Sequence, residues 1–284
     1  MGGGAWTTTA FASYTNKTKA CTLDAVGNIS TSMSNQEMFK AIMLDPALSP
    51  CHVTRECRDS EEHPETLPII LALDVTGSMG QASVEIAKKL NTIMTQLYES
   101  VKDVEFMIMG IGDLYCDTSP IQISQFESDI RIAEQLDKIW FEFGGGGNYW
   151  ESYTAAWYMG SRHCDLDCWK RGKKGIIITI GDERLNPILQ KNALADLTCD
   201  NVEMDVKTEE LYEETSQKYN IYHIHVDHDG RDYDQQNIIK SFDILRENFR
   251  IANLDNIADV IVDIIMNNEI TNTTAIQNSE GISW

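Results

Sequence analysis

The fold of this chain is decided by residues 67–80, which read Leu-Pro-Ile-Ile-Leu-Ala-Leu-Asp-Val-Thr-Gly-Ser-Met-Gly. Residues 69–73 are a continuous apolar run after a proline, which is typical of a strand buried on both faces. An amphipathic helix over about residues 83–100 follows, because apolar side chains recur there at helical spacing: Ile86, Leu90, Ile93 and Leu97. The segment therefore predicts a buried strand, a tight turn and a long helix.

The turn between this strand and this helix contains three oxygen-bearing side chains, Asp74, Thr76 and Ser78, at alternate positions. One carboxylate and two hydroxyls in a tight turn can direct three oxygens at one point. Such a ligand set, with little formal charge, suits a hard divalent cation that keeps some of its water, which favours Mg²⁺ or Mn²⁺ over Zn²⁺ or Ca²⁺. The alternative is that Thr76 and Ser78 only cap the following helix.

Further apolar runs alternate with helical patterns along the chain. Core strands are predicted over about residues 105–112, 175–181 and 222–226. A short extended segment, 121–124, follows the second strand too closely for a crossover helix, so we expect it to pair antiparallel at an edge. The pattern predicts an α/β fold that is Rossmann-like and doubly wound. Its sheet is mainly parallel with one short antiparallel edge strand, and helices cover both faces.

Four of the predicted core strands end at an acidic residue: Asp74, Asp113, Asp182 and Asp227. In a parallel sheet these acids lie along the carboxyl edge, which is where open α/β sheets bind ligands. The strands before Asp74 and Asp182 are the most apolar, hence central, so we expect these two carboxylates to share a cation. For Asp227 we expect a turn or helix cap instead.

The sequence Asp74-Val75-Thr76-Gly77-Ser78, placed between a buried strand and an amphipathic helix, resembles a known metal-binding signature. It is similar to the Asp-x-Ser/Thr-x-Ser motif of the metal-ion-dependent adhesion site (MIDAS) in von Willebrand factor A-type (VWA) domains. The resemblance covers about residues 67–269, and segments 122–129 and 169–182 also look like uncharacterised bacterial and phage members of the family. It implies the VWA fold and a metal-dependent protein–protein interaction module, or adaptor. In such a module a protein partner offers an acidic side chain to the bound Mg²⁺ or Mn²⁺.

The resemblance also implies a ligand set. In VWA domains a second loop supplies a Thr after two glycines, and a third loop supplies an Asp at the end of a later strand. Asp182 is similar to that last ligand, whereas no Thr follows the glycines Gly144–Gly147. Asn148, Glu151 or Ser152 could supply an oxygen instead, and the glycines could also serve as a hinge. The implied metal site consists of Asp74, Thr76, Ser78 and Asp182, with Asn148 and Glu151 as further candidates.

The chain of 284 residues divides into three predicted parts. Residues 1–66 form an N-terminal arm, extended or mobile in its first 35 residues, with a short helix after Ser34. Residues 67–269 form the VWA-like domain, and residues 270–284 a polar, frayed tail.

Composition restricts the partners and the location. The net charge of −21 disfavours nucleic acid and anionic membrane surfaces, because both would be repelled. No apolar run is long enough to span a bilayer, and the first residues lack a signal peptide. Seven cysteines without a Cys-x-x-Cys pair predict reduced thiols and a cytoplasmic protein. The oligomeric state is left open.

Two other functions are alternatives to the adaptor. A metal-dependent phosphohydrolase of the haloacid dehalogenase type, with Asp74 as nucleophile, needs a second acid two residues later, where this chain has Thr76. We therefore predict no enzyme and no catalytic residue. A structural or scaffold component of a phage or bacterial assembly remains an alternative to the adaptor.

Overall fold

The computed structural model describes residues 4–101, 103–143, 149–227 and 234–280, with side-chain surroundings as far as residue 268. Its strands are β1 (Thr22–Leu23), β2 (Ile29–Ser30), β3 (Arg55–Cys57), β4 (Leu67–Asp74), β5 (Val104–Ile111), β6 (Ile121–Ile123), β7 (Trp150–Glu151), β8 (Cys164–Leu166), β9 (Gly175–Gly181), β10 (Arg184–Leu185), β11 (Ile188–Leu189), β12 (Val206–Lys207), β13 (Tyr219–Val226) and β14 (Phe249–Ala252). Its α-helices are α1 (Thr8–Lys19), α2 (Asn35–Met38), α3 (Gly80–Ser100), α4 (Arg131–Leu136), α5 (Thr154–Arg162), α6 (Asp167–Lys170), α7 (Lys191–Thr198), α8 (Thr208–Thr215), α9 (Gln235–Ser241) and α10 (Ile257–Glu280). Short 3₁₀-helices lie at Pro46–Leu48 and Asp243–Asn248.

The central sheet has the strand order β14-β13-β9-β4-β5-β6 among the described residues. All neighbouring strands are parallel except β5 and β6, which are antiparallel. The fold is therefore a mixed α/β fold with a mainly parallel sheet, as the apolar runs predicted. Strands β4 and β9 are direct neighbours in the middle of the sheet, which confirms the expected central position of both.

Helices cover both faces of this sheet. Successive residues of a buried strand point to opposite faces, so each strand packs against both helical layers. Leu71 belongs to one apolar cluster, together with residues of α3 and α10. Ile70 belongs to a second cluster, together with Trp157 of α5 and Leu211 of α8. The carboxyl edge of the sheet lies between these two layers.

The N-terminal segment is part of the core, and the prediction of an extended or mobile arm is wrong for its described residues. Helix α1 buries Phe11, and Trp6 just before it donates from Nε1 to Asn91 Oδ1 at 3.0 Å. Lys19 forms a largely buried ion pair with Asp137 at 2.6 Å. Apolar periodicity is weak here, so the segment is held by a few long-range contacts that the local sequence does not reveal.

The C-terminal region also differs from the prediction. Helix α10 continues to Glu280, whereas a polar, frayed tail was expected from residue 270. Within the described residues, no helix has both the length and the apolar character that crossing a membrane requires.

The prediction that all seven cysteines are reduced is wrong for two of them. Cys51 and Cys199 form a disulfide across 148 residues of sequence, with their Cα atoms 5.0 Å apart. Disulfides persist mainly in oxidising compartments, so the argument for a cytoplasmic location from reduced thiols no longer holds. The other five cysteines are free, and Cys116 alone among them is exposed.

Candidate metal centre

The site begins where β4 and β9 end side by side. The two strands pair in parallel up to Leu73 and Ile180, so Asp74 and Asp182 follow at the same edge of the sheet. Asp74 is fully buried and Asp182 is 8% exposed. Asp227 follows β13, which pairs directly with β9 and lies one strand farther from β4.

Both carboxylate oxygens of Asp74 accept hydrogen bonds. Oδ1 accepts from the backbone N–H of Thr76 at 2.8 Å and from its hydroxyl at 2.6 Å. Oδ2 accepts from the hydroxyl of Tyr153 at 3.0 Å. Asp74 therefore fixes the Thr76 hydroxyl in the turn, and that oxygen keeps lone pairs that could bind a cation.

Helix capping does not explain Thr76. Helix α3 begins at Gly80 and has Met79 at its N-cap, without a side-chain capping bond. The Thr76 hydroxyl instead donates to Oδ1 of Asp74. Ser78 is exposed at the start of the helix, so the turn leads from a buried carboxylate to the protein surface.

Burial and then the charge of Asp182 raise the pKa of Asp74 to about 7, while hydrogen bonds from Thr76 and Tyr153 oppose this shift. Among the described residues, no Lys, Arg or His side chain forms an ion pair with Asp74. A bound divalent cation would offset both the burial and the repulsion. The residues present therefore fit a metal ion.

Glu151 lies on a short strand beside the loop that follows β9. Strand β7 pairs in parallel with β10, which places Glu151 opposite Leu185. The carboxyl group is buried, and its Oε2 atom accepts no hydrogen bond from any described residue. Burial is the main cause that raises the pKa of the Glu151 carboxyl group, and the charge of Asp74 is the second. This buried carboxyl oxygen, without a donor and near Asp74, could bind a cation.

The other two candidates from the segment before α5 are Asn148 and Ser152. Asn148 lies outside the described residues. The Ser152 hydroxyl accepts from the backbone N–H of Leu114 at 3.0 Å, so it links the loop after β5 to the start of α5. Asp117 adds a further carboxylate in that loop, and burial raises its pKa.

Tyr153 is a site residue that the sequence analysis did not identify. Its hydroxyl donates to Asp74 and accepts from the backbone N–H of Glu183 at 3.2 Å, so it connects the loops after β4 and β9. Its ring lies against Gly181, where a Cβ atom would stand 1.9 Å from the tyrosine oxygen. The glycine before Asp182 was the signal available in the sequence, because it marks a close approach of another group to the strand.

The carboxylates do not form a tight cluster by themselves. Among the described residues, three His, Cys, Asp or Glu ligand atoms lie within 4.8 Å of one another only at Cys51, His52 and Cys199. Oxygens of Asp74, Asp182 and Glu151 are spaced more widely, so hydroxyls and water would complete the shell of a cation. A cavity of ≈ 620 Å³ opens beside Gly77, between α2 and the start of α3.

No protein-family model matches this sequence, and no curated protein does. Solved structures similar to this chain include the pilus adhesin SpaC from Lactobacillus rhamnosus GG in its open conformation, with a TM-score of 0.46 and 14% identity over 78% of this chain. A second form of the same adhesin gives a TM-score of 0.45 and 13% identity. The chain covers 31% of the adhesin's length in both. Similarity at this level does not indicate a shared activity.

Proposed function

We propose that this chain is a VWA-type, metal-dependent protein interaction module, of the kind found in bacterial and phage proteins. Asp74, Thr76, Ser78 and Asp182 would hold Mg²⁺ or Mn²⁺, with Glu151 beside them and Asn148 still a candidate. The strongest support is Asp74: a fully buried carboxylate in mid-sheet, repelled by Asp182 and without a cationic partner among the described residues. A hard cation that prefers oxygen ligands suits this donor set.

A metal held in this way would leave a coordination position open toward the surface at Ser78, since Ser78 and Gly77 are the exposed residues of the turn. The acidic side chain of a protein partner would fill that position. The net charge of −21 opposes the approach of an acidic surface. The partner's acid therefore has to be presented by a neutral or basic surface.

An enzymatic role has less support. Thr76 occupies the position where a phosphohydrolase of the type considered above has its second acid, and its hydroxyl is engaged by Asp74. We therefore keep the proposal of a module without catalytic residues. A structural role for the ion in a larger assembly is the competing interpretation, and the experiment below separates the two.

The test combines metal binding with partner capture. Immobilised wild-type protein and an Asp74→Ala variant are loaded with Mg²⁺ or with EDTA, and the captured proteins are identified by mass spectrometry. We expect specific partners only for the Mg²⁺-loaded wild type. Asp263→Ala, at an exposed position of α10, is the matched control and should behave as wild type.

Three results would decide against the adaptor. Partner capture that persists in EDTA would exclude a metal-dependent contact. A metal-induced rise in melting temperature without any metal-dependent partner would favour the structural role. Phosphatase turnover that is lost in Asp74→Ala would favour the enzyme.

A further inference from the structure

Cys51, His52 and Cys199 form a second cluster of ligand side chains, which shares no residue with the candidate metal centre. Their two sulfur atoms and one imidazole nitrogen all lie within 4.8 Å of one another. Cys199 and His52 are exposed, and Cys51 is partly exposed. Two thiolates and one imidazole are the soft and intermediate ligands that Zn²⁺ prefers, in contrast to the oxygen ligands at the sheet edge.

Contacts other than the disulfide also link these residues. His52 donates from its backbone N–H to the carbonyl oxygen of Thr198 at 3.0 Å, directly before Cys199. The segment before Cys51 is fixed by the buried side chain of Leu48 and by Arg55, which donates to the carbonyl oxygen of Ala47 at 2.7 Å. Reduction would therefore leave the three side chains near one another.

The required rearrangement is small. Two sulfurs bound to one tetrahedral zinc ion stand about 3.8 Å apart, as follows from Zn–S bonds of about 2.3 Å. The Cα atoms of Cys51 and Cys199 are 5.0 Å apart, so side-chain rotation can separate the sulfurs to that distance. His52 and Cys199 both adopt the left-handed backbone conformation, with φ of 53° and 62°, in the two turns that present the ligands.

The local electrostatics favour a cation. Cys199 is the C-cap of α7, an eight-residue helix whose last carbonyl groups carry partial negative charge. That charge disfavours a bare thiolate and stabilises a dication. Two thiolates neutralise Zn²⁺, so the loaded site adds no net charge to a chain of charge −21.

We propose that reduction of the Cys51–Cys199 disulfide creates a zinc site in which Cys51, Cys199 and His52 are three ligands and water or an external group is the fourth. A dithiol reductant breaks the S–S bond, becomes a disulfide itself and delivers two electrons and two protons, which leaves two thiols. Zn²⁺ then displaces both thiol protons to solvent and binds neutral His52. The site alternates between a covalent cross-link under oxidising conditions and a metal cross-link under reducing ones.

The test uses the full chain and Zn²⁺ alone as the probe. Protein is reduced with dithiothreitol, freed of it under anaerobic conditions, and compared with oxidised protein by equilibrium dialysis and metal analysis in excess Mg²⁺. We expect one additional equivalent of Zn²⁺ in the reduced protein. Co²⁺ should give a thiolate-to-cobalt charge-transfer band only in the reduced protein.

Variants assign the ligands. Cys51→Ser and Cys199→Ser should abolish the additional equivalent, while Cys116→Ser, which removes the exposed free thiol, should not. His52→Ala changes an exposed residue and keeps both cysteines. It should weaken Zn²⁺ binding by at least about 10- to 100-fold, which is the loss expected when a group beside a metal ligand is removed. Circular dichroism checks that each variant is folded.

The proposal is overturned if reduced wild type binds no more Zn²⁺ than oxidised wild type, or if His52→Ala binds it as tightly as wild type. Asp74→Ala separates this site from the sheet-edge site. Retention of the additional Zn²⁺ in that variant supports a distinct site, and its loss would assign the ion to the sheet edge.

Discussion

The hydroxyl of Tyr153 donates a 3.0 Å hydrogen bond to Oδ2 of Asp74, and both side chains are fully buried. The same hydroxyl accepts from the backbone N–H of Glu183, so one phenol joins the loops that follow the two central strands. A phenylalanine would keep the ring packing against His223, whose centroid lies 4.9 Å away, and would lose both hydrogen bonds. Tyr153 is thus a positioning residue of the candidate metal centre.

Tyr153→Phe should weaken metal binding most at low pH. The tyrosine bond lowers the pKa of Asp74, so its loss raises that pKa and leaves less carboxylate to bind Mg²⁺. Above about pH 7, where Asp74 is charged, loss of this hydrogen bond should also cost about 1.5–3 kcal/mol of unfolding free energy. Calorimetric titration with Mg²⁺ or Mn²⁺ across pH, together with urea denaturation, measures both effects.

The control for this variant is Tyr158→Phe. That hydroxyl also donates to a carboxylate, Oδ2 of Asp200 at 2.6 Å, away from the sheet edge. We expect a comparable loss of stability with unchanged metal affinity. Equal metal affinity and equal pH dependence in the two variants would contradict a role for Tyr153 at the metal.

Asp74→Asn should change the pH dependence of stability in the metal-free protein. Burial and then Asp182 raise the pKa of Asp74 from 3.8 to about 7, so the native state holds more protons than the unfolded state between these values. The contribution of Asp74 to stability is therefore fully present below about pH 4 and is lost as the pH rises through about 7. The loss is on the order of 4 kcal/mol for a shift of this size.

We expect the Asn variant to have a flatter profile and to be more stable than wild type above about pH 7 in EDTA. Urea denaturation at a series of pH values measures this difference. Asp263→Asn, on the exposed side of α10, is the control and should follow wild type. If wild type and Asp74→Asn have parallel profiles, Asp74 is ionised without a cation and the case for a metal at this position fails.

Gly181 and Tyr153 should be energetically coupled. A Cβ on residue 181 would stand 1.9 Å from the tyrosine oxygen, so Gly181→Ala forces the ring away from Asp74. We expect a loss of about 1–3 kcal/mol from overpacking. The same substitution in a Tyr153→Leu background should cost less, with a coupling energy of about 0.5–3 kcal/mol in a double-mutant cycle. Additive losses would show that the position of the Tyr153 ring does not depend on the absence of a side chain at residue 181.

The central sheet was predictable because its strands are marked by local composition. The run 69–73 and the isoleucines of β9 can only be buried on both faces, and burial on both faces places strands in the middle of a parallel sheet. The neighbouring positions of Asp74 and Asp182 follow from that placement. Their roles as metal ligands remain a prediction.

Features that depend on distant partners were not predictable. Trp150 and Glu151 pair with β10, and the helix that follows them begins only at Thr154. Local propensity contains no information about a partner strand more than thirty residues later. The disulfide is a similar case, because seven scattered cysteines have no spacing pattern that indicates which two meet.

Glu151→Gln should decide whether this carboxyl group contributes to the metal centre. Glutamine keeps the shape of the side chain and replaces the carboxyl group, whose pKa is raised by burial and by Asp74. If Glu151 binds the cation, the ion must displace its proton, so wild type should release more protons per ion than the variant. We also expect the variant to bind Mg²⁺ about tenfold or more weakly, by analogy with the loss of groups around a metal.

Calorimetric titrations in two buffers of different ionisation enthalpy give the proton count as well as the affinity. Glu142→Gln is the matched control, because Glu142 accepts hydrogen bonds from the backbone N–H groups of Thr118 and Ser119. That variant should leave proton release unchanged. Equal affinity and equal proton release in Glu151→Gln and wild type would mean that Glu151 is a buried neutral acid. The site would then be limited to Asp74, Thr76, Ser78 and Asp182, with Asn148 the remaining candidate from the second loop.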